Sequence, residues 1–365
     1  MTIPRFVGRP DWYNTFNPET LAATGTPLRW GVIATGNIAT TVTTDLALLE
    51  DAVLQAVSSR SQTSAAAFAD KFGFTTHYFD GGPSGAAAPG HLQLLADPEV
   101  DVVYVATPHG QHFDIVRAAL ENGKHVLCEK ALTITSAETR ALIELARAKG
   151  LFLMEAVWAR FVPGFQRALE IITSGEIGEI KWVRGDLGFV APNDPALRIW
   201  APNDGGGALL DLTVYPLLWA WGTLGQPEKV AATGSLTSFG VDGLNTITLS
   251  YANGSQAQLI SGLVSQGPGR ATISGTLGYI ETVNSLNNPK ELFISGPGGA
   301  TRTETFEEPG SGYTYQLREV TRCIQAGLTE SATMPLDDSL SIMELFDEVR
   351  SQLGLSYTND TRTDI

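Results

Sequence analysis

Val100–Lys130, VDVVYVATPHGQHFDIVRAALENGKHVLCEK, reads as strand, helix, strand, and the rest of the chain is arranged around it. Asp101 to Ala106 is a short β-branched and apolar run of the kind buried in a parallel sheet, and Pro108 stops it. Phe113, Val116, Ala119 and Leu120 then recur at helical spacing until Asn122-Gly123 closes the helix. His125 to Cys128 is a second apolar run. A right-handed crossover lays it parallel to the first, so Thr107-Pro108-His109 and Glu129-Lys130 emerge at the same sheet edge. Open α/β sheets bind ligands at that carboxyl edge, which makes these residues candidates for ligand contact. Lys130 is there either as an ordinary solvated charge or as a cation aimed into a cleft.

The bulk properties set bounds. A chain of 365 residues has room for two domains, and 43% hydrophobic with 17% charged residues describes a soluble globular protein. A formal charge of -15 repels nucleic-acid phosphates and anionic membranes, so neither is expected as a partner. Cys128 and Cys323 fall on an apolar strand and an amphipathic helix, which reads as buried thiols in a reducing, cytoplasmic compartment. No run approaches the roughly 18 to 20 apolar residues of a membrane span. The N-terminus lacks a basic, then apolar, then small-residue leader pattern.

Residues 1–27 carry Pro4, Pro10, Pro18 and Pro27 around Trp12, Tyr13 and Phe16 and show neither period, as expected of an extended arm. Its clustered aromatics imply that it lies across its own subunit or a neighbour. Leu28 to Ile33 is a compact strand, and Ala34-Thr35-Gly36-Asn37-Ile38-Ala39 leads from it into a helix running to about Glu50, followed by a strand from Ala52 to Val57. Small residues in such a turn let backbone N–H groups at the helix N-terminus approach a pyrophosphate, so Ala34 to Ile38 are expected to cradle a dinucleotide. The G-x-G-x-x-G pattern is reduced here to Ala34-x-Gly36-x-x-Ala39. Where an NAD-selective chain places an acidic residue, this one has Ser58-Ser59-Arg60-Ser61. Hydroxyls and a guanidinium suit a 2′-phosphate, so Ser59 and Arg60 point to NADP ahead of NAD.

Gly81 to Gly90 is a low-complexity insertion. Ser136 to Lys149 is an amphipathic helix capped by Gly150, and a strand from Leu151 to Glu155 completes a first domain over residues 28–155. The texture then changes to short alternating strands between Ile180 and Ile294, a largely antiparallel sheet with helices on one face. Closing helices from Tyr313 to Ala326 and Ser339 to Gln352 end a second domain of residues 156–355, the last of them free to pack back on the first domain. The tail 356–365 reads as unstructured. The fold class is therefore α/β, with a dinucleotide-binding domain followed by an α+β domain.

In the second domain, Gly205-Gly206-Gly207 precedes Asp211 and Tyr215, which are four apart and share a face if the segment is helical. Pro216 breaks or kinks a helix at that point. A tyrosine in an apolar segment serves equally well as a core residue whose hydroxyl bonds a carbonyl. His109 and His112 have metal-like spacing, but no further ligand cluster accompanies them, and no metal is expected.

The order Ala34-x-Gly36-x-x-Ala39, Thr107-Pro108 with His112, Glu129-Lys130, and Gly206-Gly207 with Asp211 and Tyr215 resembles the glucose-fructose oxidoreductase and inositol dehydrogenase (Gfo/Idh/MocA) family. Glu155-Ala-Val-Trp158-Ala-Arg160-Phe161 and Gly205-Gly-Gly-Ala-Leu-Leu-Asp211 are similar to the dimeric dihydrodiol dehydrogenase and NADP-dependent D-xylose dehydrogenase branch. The resemblance spans roughly residues 28–355. It implies a Rossmann domain followed by an open-faced sheet domain, a homodimer through that sheet, and cofactor contacts that include His112. It further implies that Lys130, Asp211 and Tyr215 surround the reacting carbon. Two positions depart from the pattern: Ala131 stands for the usual proline, which bears on rate more than mechanism, and Ala34 for the first phosphate-loop glycine, which it is small enough to replace.

The residue types make chemical sense on their own. Oxidising a sugar hydroxyl removes a proton as hydride leaves the same carbon, and a phenol of ordinary pKa about 10 is a weak base at neutral pH. A neighbouring ammonium favours the phenolate, so Lys130 is expected to lower the pKa of Tyr215, with Asp211 orienting lysine or substrate. Trp158, Arg160 and Arg198 are candidates to stack on or donate to the substrate. The expected activity is hydride transfer between NADP and an aldopyranose such as D-xylose, or a trans-dihydrodiol. The alternatives are an NAD-dependent glycoside hydrolase of the same fold and a non-catalytic sugar or dinucleotide sensor.

Overall fold

Six short apolar runs pair side by side in a computed structural model that describes residues 20–82, 88–363 and 365. They are β1 (Leu28–Ile33), β2 (Ala52–Ser59), β3 (Thr76–Phe79), β4 (Val102–Val105), β5 (His125–Glu129) and β6 (Leu153–Ala156), in the order β3-β2-β1-β4-β5-β6. Every pairing is parallel. Val102 to Val105 is buried at every position, because helices cover both faces of a parallel sheet. Those helices are α1 (Asn37–Leu46), α2 (Gln62–Phe72), α3 (Gly90–Leu95), α4 (His112–Glu121) and α5 (Ser136–Lys149). Local chemistry sets their ends: Ser61 caps α2, Thr135 and Glu138 form a capping box on α5, and Gly73 and Gly150 end α2 and α5 in the left-handed conformation. Strand order reverses between β1 and β4, and a crevice opens there at the carboxyl ends.

After α6 (Pro163–Thr173) the chain builds a second sheet. Its strands are β7 (Ile180–Gly188), β8 (Lys229–Leu236), β9 (Asp242–Ser250), β10 (Gln256–Gly262), β11 (Ala271–Gly275), β12 (Tyr279–Val283), β13 (Glu291–Ser295) and β14 (Thr301–Thr305). They lie in the order β14-β13-β12-β11-β7-β10-β9-β8, and only β7 and β10 run parallel. The last strand, TRTET, escapes a hydrophobicity-based reading because it is an exposed edge without an apolar face. Burial alternates along β10, so one face is packed and the other open. The packed face carries α7 (Ala208–Leu212) and α8 (Val214–Leu224) between β7 and β9, while Trp182, Ile260 and Val264 are exposed.

Two closing helices, α9 (Thr314–Gln325) and α10 (Leu336–Leu353), join the halves. The last packs back on α5 and β6, with Arg147 reaching Asp337 at 2.9 Å. At the ends, one expectation changes, that for the tail. Trp12, Tyr13 and Phe16 lie outside the described residues, but the arm's last residues dock on their own subunit: Arg318 Nε donates to Thr20 O at 2.9 Å and its guanidinium pairs with buried Asp51 at 2.8 Å. The tail, read as unstructured, is ordered over residues 356–362. Tyr357 is buried, a 3-10 turn spans Thr358–Thr361, and Arg362 clamps Asp114.

Candidate active site

The crevice at the strand-order reversal is a cleft of about 1120 Å³ that runs from the β1 turn to the start of α8. Ala34, Thr35, Gly36, Asn37 and Ile38 line one end. Ala34 N donates to Ser58 O at 3.0 Å, which bends the turn back over β2. Ala34 itself has φ 88°, in the region that favours glycine, so the alanine fits by size but carries backbone strain. A Cβ on Gly36 would meet no protein atom, and α1 starts with neither a side-chain cap nor an acidic first turn. That leaves N–H donors facing open space, a cradle that fits a pyrophosphate. Ser59 and Arg60 line the cleft beside it; Thr35 Oγ1 donates to Ser59 Oγ at 3.3 Å, and Arg60 is exposed with no carboxylate partner among the described residues.

Thr107, Pro108, His109, Glu129 and Lys130 form the middle wall. Thr107 Oγ1 is buried without a protein partner, a second polar atom that suits a bound dinucleotide. His109 is held between two carbonyls, with Nδ1 3.0 Å from Gly205 O and Nε2 2.9 Å from Lys130 O. Burial, with the neighbouring His112 and Lys130, pushes its pKa down to about 3, so the ring is neutral and donates to one of the two carbonyls. The Lys130-Ala131 peptide bond is cis.

At the far end, Lys130 Nζ donates to Asp211 O at 2.6 Å, lies 3.4 Å from Asp211 Oδ1 and sits 5.3 Å from the centre of the Tyr215 ring. Burial disfavours the ammonium, but Asp211, Tyr215 and Glu129 around it outweigh that and hold its pKa above the ordinary lysine value. Burial also disfavours the Asp211 carboxylate, yet Lys130, Arg198 and His109 draw it well below the usual range. Arg198 Nη2 is 3.3 Å from Asp211 Oδ1, and Arg198 lines the cleft. The site is thus a fixed ion cluster with a phenol at its edge.

That phenol departs from expectation. Lys130 and the Trp158 indole do pull the Tyr215 pKa down, but burial is the larger effect and leaves it above the ordinary value. Trp158 Nε1 donates to Tyr215 Oη at 3.1 Å, and the indole stacks on Tyr313 with ring centres 4.5 Å apart. Asp211 and Tyr215 do not share one helix. The break falls at Thr213, between α7 and α8, and Pro216 sits in the first turn of α8, where its missing N–H costs that helix no hydrogen bond. Both residues still reach the cleft.

The glycine triplet serves the protein rather than a ligand. A Cβ on Gly206 would sit 2.6 Å from Ile199 O, and Gly207 has φ 105° with Asp242 packed against it.

Two expected contacts are corrected. Arg160 is fully buried away from the cleft, with its guanidinium 2.5 Å from Asp338 and an N–H to the Met334 sulfur. An arginine one turn past a strand end can face either side, and here α10 supplies the carboxylate. His112 lies behind the wall, its ring nitrogens at 2.9 Å from Ala131 O and 2.8 Å from Thr107 O, so it shapes the 107 and 131 loops rather than touching a ligand. Tyr313 is one of several lining residues that the sequence concealed, since only a turn-like Gly-Ser-Gly precedes it. Asp45 on α1 places it by accepting from Ser311 N and Tyr313 N at 2.9 and 2.8 Å.

Among the described residues, no helix is long and apolar enough to cross a membrane, and no cluster of three or more His, Cys, Asp or Glu side chains could hold a metal. Comparison with known proteins agrees with this geometry. Residues 28–157 match the family described as oxidoreductase, NAD-binding Rossmann fold, and residues 165–281 match the GFO/IDH/MocA C-terminal domain. The chain is 34% identical to the trans-1,2-dihydrobenzene-1,2-diol dehydrogenase of Mus musculus, over 92% of this chain and 99% of that one. It is 35% identical to the D-xylose 1-dehydrogenase (NADP(+)) of Hypocrea jecorina, over 94% and 97%. Among solved structures, a 3-ketoreductase from Actinomadura kijaniata in complex with NADP superposes with a TM-score of 0.77 at 25% identity, covering 90% of this chain and 98% of that one. The parallel sheet with its phosphate turn, the second sheet behind the lysine, aspartate and tyrosine, and near full-length similarity to dehydrogenases together place this chain in the GFO/IDH/MocA family of NAD(P)-binding oxidoreductases.

Proposed function

We propose that this chain is an NADP-linked dehydrogenase acting on a CH–OH group of a cyclic substrate, either C1 of an aldopyranose such as D-xylose or a trans-dihydrodiol. The observation that carries the reading is Tyr215, its Oη bonded by Trp158 and its ring centre 5.3 Å from Lys130 Nζ, at the far end of the cleft into which the Ala34–Ile38 turn opens. A bound nicotinamide supplies the hydride acceptor or donor. Tyr215 takes the substrate hydroxyl proton in oxidation and returns it in reduction. Lys130 stabilises the developing oxyanion, and Asp211 holds the lysine in place from its carbonyl and carboxylate. The aromatic wall of Trp158 and Tyr313 suits the C–H face of a sugar or the ring of a diol.

NADP is favoured over NAD by exposed Arg60 between Ser59 and Ser61, and the Hypocrea relative is named for NADP. Trp182, Ile260 and Val264 on the open sheet face support a homodimer through that face. The free, buried thiols of Cys128 and Cys323 suit a cytoplasmic setting.

The test is nicotinamide absorbance on mixing the protein with NADP or NAD and a panel of pyranoses and dihydrodiols. Turnover with NADP is expected, and Tyr215→Phe should cut it at least about 100-fold with cofactor affinity unchanged. Full turnover in that variant removes Tyr215 from the chemistry.

A further inference from the structure

The ordered tail meets the active cleft from outside. Tyr357 is 4% exposed, and its Oη donates to Gly206 O at 2.7 Å. Gly206 belongs to the tight loop that runs from Ile199 to Gly207, in which Gly206 N donates to Ala201 O and Gly207 N to Ile199 O. Ala201 and Asp204 of that loop line the cleft, and the carbonyl of Gly205 faces His109 at 3.0 Å. His109 in turn faces the carbonyl of Lys130 at 2.9 Å. The loop backbone therefore packs on His109 at its inner side and is hydrogen-bonded by Tyr357 at its outer side, one peptide apart.

The tail is anchored independently on the dinucleotide-binding half. Arg362 Nη1 and Nη2 donate to the two oxygens of Asp114 on α4 at 2.7 and 2.8 Å. Asn359 Nδ2 donates to Glu138 at 2.7 Å, at the N-terminus of α5. Thr358 bonds Asn203 on the loop itself, and Asp360 ties the turn to Arg350 of α10 at 2.8 Å. Residues 357–362 thus connect two helices of one half to the substrate-side loop of the other.

We infer that the segment from Leu355 to Arg362 is a brace that sets the substrate side of the cleft, with Tyr357 as its positioning residue acting through Gly206, Gly205 and His109. Among the described residues the tail makes no hydrogen bond to the phosphate turn or to Arg60, so the brace is expected to act on the substrate side. The kinetic consequence rests on the dehydrogenase reading above; the structural one does not.

The experiment uses the full-length chain with Tyr357→Phe, which removes one hydroxyl and keeps the ring, and with Arg362→Ala, which releases the far anchor. Hydrogen exchange read by mass spectrometry over residues 199–207 is expected to speed up about tenfold in both variants, with residues 28–46 unchanged. In steady-state assays KM for the sugar or diol should rise several-fold while KM for NADP stays constant. Unchanged exchange over 199–207, or an increase spread evenly over the whole chain, overturns the brace. A wild-type protein without turnover counts against the dehydrogenase reading alone, because exchange is measured without substrate.

Discussion

Trp158 Nε1 donates to Tyr215 Oη at 3.1 Å across two segments 57 residues apart. The bond points the phenol oxygen and stabilises its anion, and it opposes the burial that raises the Tyr215 pKa. Trp158→Phe keeps an aromatic ring against Tyr313 and deletes the donor. A hydrogen bond to a charged form contributes about 1.5 kcal/mol, so alcohol oxidation should slow about tenfold in this variant. Thermal stability should change little. Rates of oxidation and melting curves measured side by side check this.

The same shift sets the pH dependence. Oxidation needs the Tyr215 phenolate, and with burial holding the pKa above the usual phenol value, kcat for oxidation should climb with pH through neutrality and continue past pH about 9. Reduction needs the neutral phenol and should stay flat over that range. His109, pushed down to about 3, contributes no inflection near neutrality. A bell centred near pH 7 in either direction contradicts this assignment.

Arg60 is expected to bind the 2′-phosphate without help from another cation of its own strand end. Arg60→Ala should raise KM for NADP about 10- to 100-fold, the worth of a charge-assisted hydrogen bond, and leave KM for NAD unchanged. Equal losses with both cofactors would place the guanidinium elsewhere.

Arg160 is a structural ion, 2.5 Å from Asp338 and buried beneath the cleft wall. Arg160→Met leaves that carboxylate without its partner and should cost about 3 kcal/mol of stability. KM values should not move at temperatures where the variant is folded. A changed KM with an unchanged melting temperature would restore Arg160 to the substrate site.

Much of this was legible locally. The strand and helix periods around Val100–Lys130, the turn at Ala34–Ile38 and the helix cap at Gly150 depend on neighbours within a few residues, and the structure realises them. The parallel order follows because crossover handedness leaves few arrangements for such a pattern, and that order puts Thr107 and Lys130 at one edge. Asp211 and Tyr215 were readable as a pair, and the break between α7 and α8 falls at Thr213, next to the Leu212 carbonyl that a proline at 216 deprives of its N–H donor.

What the chain order could not carry is which side chains meet across long separations. Arg160 and Arg198 are alike in sequence as cations near the cleft; only the packing of α10 gives the first to Asp338 and leaves the second to Asp211. The sign of the Tyr215 shift is decided by how completely α8 is buried, a property of the assembled domains. Tyr313, Asp45 and the docking of Tyr357 on Gly206 were hidden for the same reason. The amino-acid sequence by itself determined the elements, the sheet edge and the chemical types available there, because those rest on short-range periodicity. Tertiary structure alone decided which of those groups share one cleft and which charges neutralise each other, because desolvation and pairing depend on contacts that no local pattern encodes.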